Sequence, residues 1–458
     1  MVVLAVHFRQ CMRDGWWDPA KGKDGTDFTA SYSAGELARR GENIFDYRLS
    51  STPGRPFIYP PMFAVFPMTL LSLLPHNGAL AAFWVLNIVM LFASLWLLRT
   101  LLWPDPAASP GTTEPALVTH RGLWCRCCSW RVWRHPDTGL VLAVLVCGRF
   151  LSSNMRLGNA NMYILFLIVV ALCLLVRSRG FWAGIVVALA TAFKVTPGLF
   201  GLYLLWSRRG WALVGGALGL VLFLVLVPGS VLGVARNFEL LSAFTRHASG
   251  ALTDNKDVDA ASPDSVVVGW RHRLKQSYKD RAVGVSLRGT TQKLLSPSVA
   301  LNRRDASEDR TVNIANLTMQ QAARVADVLS LCLLVVTILL TAPRWTCQER
   351  LPLILSLGLV TTAMVLISPL TRKAHLVVLL IPVVALIALL QQDKLTGAAR
   401  RWAWIGLLVL GLSGVVFSGE VVGQRLSDVI NAAGTTTVSV LLVYVATAMA
   451  LHGMKHAK

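Results

Sequence analysis

Eight consecutive residues, Ser368-Pro369-Leu370-Thr371-Arg372-Lys373-Ala374-His375, bring two permanent cations and an imidazole together between two apolar runs. The set suits a phosphate: Arg offers a planar fork of donors, Lys a point charge, and His a donor tuned by its surroundings. Arg149 and Arg156, seven apart, share one face of a continuous helix. Two such guanidiniums suit an anionic headgroup or, equally, snorkel towards lipid phosphate. Directly after them, Gly158-Asn159-Ala160-Asn161 supplies neutral donors and acceptors of the kind sugar hydroxyls need, although Asn at a helix end is also a common cap. Asp27 opens a short amphipathic stretch that runs to Gly41, where a carboxylate serves either as a general base or as a helix cap. Phe45, Tyr47 and Phe57 follow it and read as interfacial anchors or as a carbohydrate stacking surface.

The elements that must position these groups are membrane helices. The 458 residues are 54% hydrophobic and only 15% charged, with a mean hydropathy of +0.55. Repeated apolar runs of about 20 residues exclude a soluble enzyme, a disordered chain and a disulfide-rich secreted module. The fold class expected is an all-α polytopic membrane protein. The 44 Lys+Arg against 24 Asp+Glu, net +20, follow from basic residues gathering at cytoplasmic span ends, so no nucleic-acid partner is implied. Among the eight Cys, the group Cys125, Cys127 and Cys128 near His120 and His135 lacks a second ligand pair and reads as reduced thiols. No dedicated metal site and no cofactor are expected.

Spans are read at residues 79–98, 139–153, 161–176, 211–229, 327–342, 351–369, 374–391, 402–418 and 435–452. If each crosses once, the basic connections at Arg99 to Arg134, Arg177/Arg179, Arg208/Arg209, Arg344/Arg350, Lys394/Arg400/Arg401 and Lys455 to Lys458 fall on one face, which the positive-inside rule makes cytoplasmic. Phe181 to Trp206 is too short for two full crossings, so it is expected to form a broken or re-entrant helix pair, interrupted at Lys194-Val195-Thr196-Pro197-Gly198. Lys194 must then face a polar cavity or snorkel. Pro60, Pro61, Pro67 and Pro75 make Ile58 to Leu74 an interrupted, partly inserted segment. The chain divides into residues 1–57, a truncated first helix (Met1 to Phe8) and outer catalytic loop; 58–230, an N-terminal bundle; 231–326, a long outer-face loop or subdomain; and 327–458, a C-terminal bundle.

In order along the chain, Thr26-Asp27-Phe28 with Tyr32, Tyr59-Pro60-Pro61 to Leu74-Pro75, Gly158 to Asn161, Ala183-Gly184 through Lys194 to Pro197, Ser286-Leu287-Arg288-Gly289, and Ser368-Pro369 to His375 resemble the membrane glycosyltransferases of family 87. The resemblance implies a GT-C-type helix bundle with an outer-face site for a lipid-linked sugar donor. It gives Asp27 the place of the catalytic acidic residue and His375 that of a histidine near the donor phosphate. Arg372, Lys373, Arg149 and Arg156 become further phosphate contacts, and Asn159, Asn161, Tyr59, Lys194, Ser286 and Arg288 substrate contacts.

The activity this implies is inverting transfer of a hexose, mannose first among them, from a polyprenyl phosphate to a hydroxyl of a lipid or glycan, at the outer face of a bacterial inner membrane. The competing reading is a transporter or flippase of an anionic lipid-linked substrate, using the same cavity-facing cations. The chain shows no internal repeat of the kind many transporters carry, and that asymmetry favours an enzyme.

Overall fold

The computed structural model describes residues 26–46, 49–52, 57–104, 132–250, 284–297, 311–342, 350–417 and 419–456, and every regular element among them is a helix. In chain order these are α1 (Asp27–Arg39), α2 (Pro61–Leu71), α3 (His76–Leu102), α4 (Pro136–Leu157), α5 (Asn161–Val176), α6 (Gly180–Phe193), α7 (Gly198–Trp206) and α8 (Gly210–Leu232). They continue with α9 (Val234–Gly250), α10 (Leu287–Leu295), α11 (Met319–Thr341), α12 (Arg350–Ile367), α13 (Lys373–Gln391), α14 (Gly397–Val415), α15 (Gln424–Ala432) and α16 (Thr435–His456). Seven described helices, α3, α4, α8, α11, α12, α13 and α16, are long and apolar enough to cross a membrane. The chain is a polytopic helical membrane protein.

Two central helices, α12 and α13, are apolar all round and buried on nearly every side. Peripheral α8 and α11 instead turn Leu218, Val221, Leu329 and Leu339 outward, where lipid would lie. Between α6 and α8 the contact runs through glycine: a side chain on Gly184 or Gly215 would collide with the facing backbone, so small residues let the two helices close.

The breaks fall where prolines remove backbone donors. Lys194 leaves α6 in extended backbone, and Pro197 precedes α7, so the pair rises about 21 Å and returns about 14 Å. That is the broken pair expected from the sequence. Phe66, before Pro67, leaves helical geometry at φ −148 and ψ 118, interrupting α2 as expected. In α8 Pro228 has no N–H for the Leu224 carbonyl one turn back, and buried Asn237 at the start of α9 supplies the missing donor at 2.8 Å.

The bundle has two chemically distinct ends. At one, Arg99 meets Asp137 at 3.1 Å, Arg134 meets Asp393 at 2.6 Å, and Gln392 donates to Leu102 O at 2.9 Å. The end of α3, the starts of α4 and α14 and the end of α13 therefore share one face, as the basic connections require. The other end carries α1, the α4–α5 turn, the α6–α7 break and the start of α13. Within 231–326 the described chain is helical at α9, α10 and the first turns of α11. The N-terminal octet, residues 9–25, Tyr47, the cysteine-rich connection with Arg121, Arg126 and Arg131, Arg344 and residues 253–264 lie outside the described residues.

Candidate active site

Helix α1 begins where the sequence predicts. Thr26 is extended, Asp27 occupies the first turn, and the chain leaves the helix through Gly41 at φ +71, a conformation open chiefly to glycine. The helix is fixed by a residue the sequence reading passed over. Buried Glu36 accepts hydrogen bonds from Ser50 Oγ (2.8 Å), Ser51 N (3.1 Å) and Ser51 Oγ (2.9 Å), and pairs with Arg40. Burial works against its charge, but these bonds and the Arg40 guanidinium outweigh it and hold the carboxyl below its usual range.

The tight turn between α4 and α5 organises everything else. Gly158 ends α4 at φ +62, and its N–H and that of Asn159 return to the carbonyls of Met155 (3.2 Å) and Asn154 (3.3 Å). Any side chain on Gly158 would run into Phe28, so this glycine both makes the turn and lets α1 approach. Asn159 Nδ2 then donates to Asp27 Oδ2 at 2.9 Å, while Asn159 Oδ1 accepts from the Tyr59 hydroxyl at 3.2 Å. Tyr59 thereby fixes which way the amide points, and the amide fixes the carboxylate.

Two residues on, Asn161 makes a second set of bonds. Its Nδ2 donates to Asn154 Oδ1 (3.2 Å) and Ala374 O (2.9 Å), tying the turn to the start of α13, and its Oδ1 accepts from Lys194 Nζ at 2.7 Å. The Lys194 ammonium also lies 5.7 Å from the centroid of the Tyr59 ring. A narrow cleft opens here, lined by Asn161, Lys194, Thr196, Ser368, Thr371 and His375 among apolar neighbours. His375 Nδ1 accepts from the Arg372 backbone N–H at 3.2 Å. With Nδ1 as acceptor, Nε2 is left as the donor the imidazole can offer a ligand.

Arg372 is exposed at the rim and Lys373 half-buried beside it. Ser286 and Arg288, expected at the substrate, are held otherwise. Ser286 Oγ accepts from Gly289 N (3.1 Å) as the cap of α10 and donates to Pro369 O (3.1 Å), while Arg288 faces Asp327 at 3.8 Å. Their stretch supports the rim from outside: Val285 N donates to Thr371 O at 2.8 Å, and buried Lys293 donates to Gly284 O at 2.7 Å. Burial and the nearby Lys373 charge bring the Lys293 ammonium down to about 8. Arg149 lies against α14, its Cβ close to Gly414, and Arg156 is exposed at the end of α4. The structure thus gathers Asp27, Asn159, Tyr59, Asn161, Lys194 and His375, with Arg372 and Lys373 at the rim. Phe45 and Phe57 are buried against each other, 6.0 Å between centroids, so they offer a ligand no stacking face.

Thr196, Ser368 and Thr371 line the cleft and lie inside motifs legible in the sequence, but hydroxyl residues at helix breaks carry no signal that separates lining from capping. Asn154 had a clearer one, an amide in the last turn of an otherwise apolar helix. Thr26 Oγ1, next to Asp27, is buried without a hydrogen-bond partner among the described residues.

Comparison with known proteins gives two matches. The profile described as Glycosyltransferase family 87 matches residues 57–369, more than half of the chain. A protein of Mycolicibacterium smegmatis named polyprenol-phosphate-mannose-dependent alpha-(1-2)-phosphatidylinositol mannoside mannosyltransferase is 31% identical over 156 residues, 33% of this chain and 31% of that protein. The match thus spans about a third of that relative's length. No solved structure matches the chain.

Proposed function

The chain belongs to glycosyltransferase family 87, and from that premise we propose that it moves a hexose, mannose by analogy with the named relative, from a polyprenyl phosphate to a hydroxyl of a glycolipid. The observation that carries this reading is the α4–α5 turn, which holds a carboxylate through Asn159 and the ammonium lining the cleft through Asn161. A transfer needs both: a base for the acceptor hydroxyl and cations for the phosphate that leaves.

In this reading the acceptor oxygen attacks the anomeric carbon from the face opposite the phosphate. Its proton passes to the Asp27 carboxylate as the new C–O bond forms. The bond from the anomeric carbon to the phosphate oxygen breaks, and its electron pair stays on the phosphate, beside His375, Arg372 and Lys373. One carboxylate base suffices for this inverting displacement. The chemistry calls for no metal and no cofactor, the lipid-linked donor being a co-substrate. The basic end of the bundle lies opposite the site, which by the positive-inside rule supports a reaction at the outer face of a bacterial inner membrane.

The test is transfer by the purified protein in proteoliposomes, given polyprenyl-phosphate-mannose and a phosphatidylinositol mannoside. Formation of a mannosylated lipid with inverted anomeric configuration is expected. Movement of intact donor across the bilayer without bond cleavage would replace the enzyme with a flippase.

A further inference from the structure

We propose that Lys194 is the catalytic cation that receives the charge of the departing phosphate, with Asn161 as its partner in the resting state. The proposal rests on the transferase reading and assigns the step at which Lys194 acts.

The donor phosphodiester carries one negative charge. When the bond to the anomeric carbon breaks, the electron pair remains on the phosphate oxygen and the product, a polyprenyl phosphate monoester, carries one charge more. A cation at that oxygen binds the transition state more tightly than the bound donor, so its contribution appears in kcat. Among the cations gathered here, Arg372 is exposed at the rim, where water and salt weaken its field. Lys194 lines the cleft itself, together with Thr196, Ser368 and His375.

The partners of Lys194 fit a group waiting for an anion. Its nearest acceptor is the neutral Asn161 amide oxygen at 2.7 Å, and its other neighbour is the face of the Tyr59 ring. Both are neutral, and the Asp27 carboxylate, held by Asn159, acts on the ammonium through space without a hydrogen bond to it among the described residues. An ammonium has three N–H donors and swings on a flexible stem, so exchanging one amide oxygen for a phosphate oxygen costs little. Asn161 itself is held by Asn154 and Ala374, so the resting position is defined.

The experiment uses the full-length protein in proteoliposomes. It measures transfer from polyprenyl-phosphate-mannose and, separately, equilibrium binding of polyprenyl monophosphate against uncharged polyprenol. Lys194→Met is expected to lower kcat by about 10²-fold or more with little change in donor KM, and to weaken the preference for the monophosphate. Lys194→Arg should restore part of both. Asn161→Asp, which gives the ammonium a permanent charged partner, should lower kcat about tenfold, and it carries the test if Lys194→Met does not fold. If the wild type transfers mannose and kcat is unchanged in Lys194→Met, or in Asn161→Asp where that variant carries the test, the assignment is overturned and the transferase reading stands. If the wild type transfers nothing yet binds the monophosphate through Lys194, the transferase reading fails and the anion site survives. A wild type that does not distinguish monophosphate from polyprenol overturns both.

Discussion

The two ends of the bundle handle charge in opposite ways. At the basic end, arginines from one helix meet aspartates from another, as in the Arg99–Asp137 pair and the Arg134 and Arg400 contacts to Asp393, with Gln391 and Gln392 bonded to neighbouring carbonyls. At the other end the Glu36–Arg40 pair anchors α1, while the groups facing the cleft meet neutral partners: Asp27 accepts from one asparagine amide, Lys194 donates to another, and the His375 ring accepts from a backbone N–H. An ion pair satisfies its members and leaves little field behind, whereas an amide fixes the position of a charge and leaves its field for a ligand. The first arrangement joins helix ends, and the second suits a site.

Substitutions at the two ends should therefore separate activity from stability. The largest effect is expected for Asp27→Asn, which keeps shape and capping ability but removes the proton acceptor. Transfer should fall by at least about 10²-fold while stability changes by less than about 1 kcal/mol. Normal turnover in this variant would return Asp27 to the role of a helix cap. His375→Ala should weaken donor use by about 1.5 to 3 kcal/mol, read as kcat/KM for the polyprenyl-phosphate donor, with acceptor KM unaffected. An unchanged donor kcat/KM would remove the imidazole from the phosphate site.

Glu36→Gln tests whether the carboxylate helix is anchored independently of the chemistry. Because the folded carboxyl lies below its ordinary value, its stabilisation is fully present above the unfolded pKa of about 4.3 and is lost as pH falls through the folded value. The variant should lose about 1 to 2 kcal/mol at neutral pH, and the difference from wild type should shrink on acidification, which thermal melts at several pH values will read. A difference that is the same at every pH would separate Glu36 from the loop it holds. The smallest effect belongs to the basic end. Asp393→Asn, at a half-exposed pair, should cost no more than about 1 kcal/mol and leave kcat alone; a large loss of transfer would show that the two ends are not independent.

Much of this was legible in the sequence because it is local. The start of α1 at Asp27, its stop at Gly41 and the break at Lys194 to Gly198 follow from caps, glycine and proline acting over a few residues. What local pattern leaves open has a different cause. Ser286 carries the hydroxyl of a candidate ligand contact, and Phe57 the ring of a stacking surface, but whether a side chain meets ligand or protein depends on what packs over it. Pro369 covers the first and Phe45 the second.

The sequence by itself determined the membrane class, the helical breaks and the face carrying the basic connections, since hydropathy and backbone chemistry act along the chain. Only the tertiary structure decided that Asp27 meets Asn159, that Asn161 joins Lys194 to the start of α13, and that Arg288 faces Asp327. Those partners come from distant helices. Their pairing is set by how closely the helices approach, as at Gly158 against Phe28, and a linear pattern of residue types does not encode that distance.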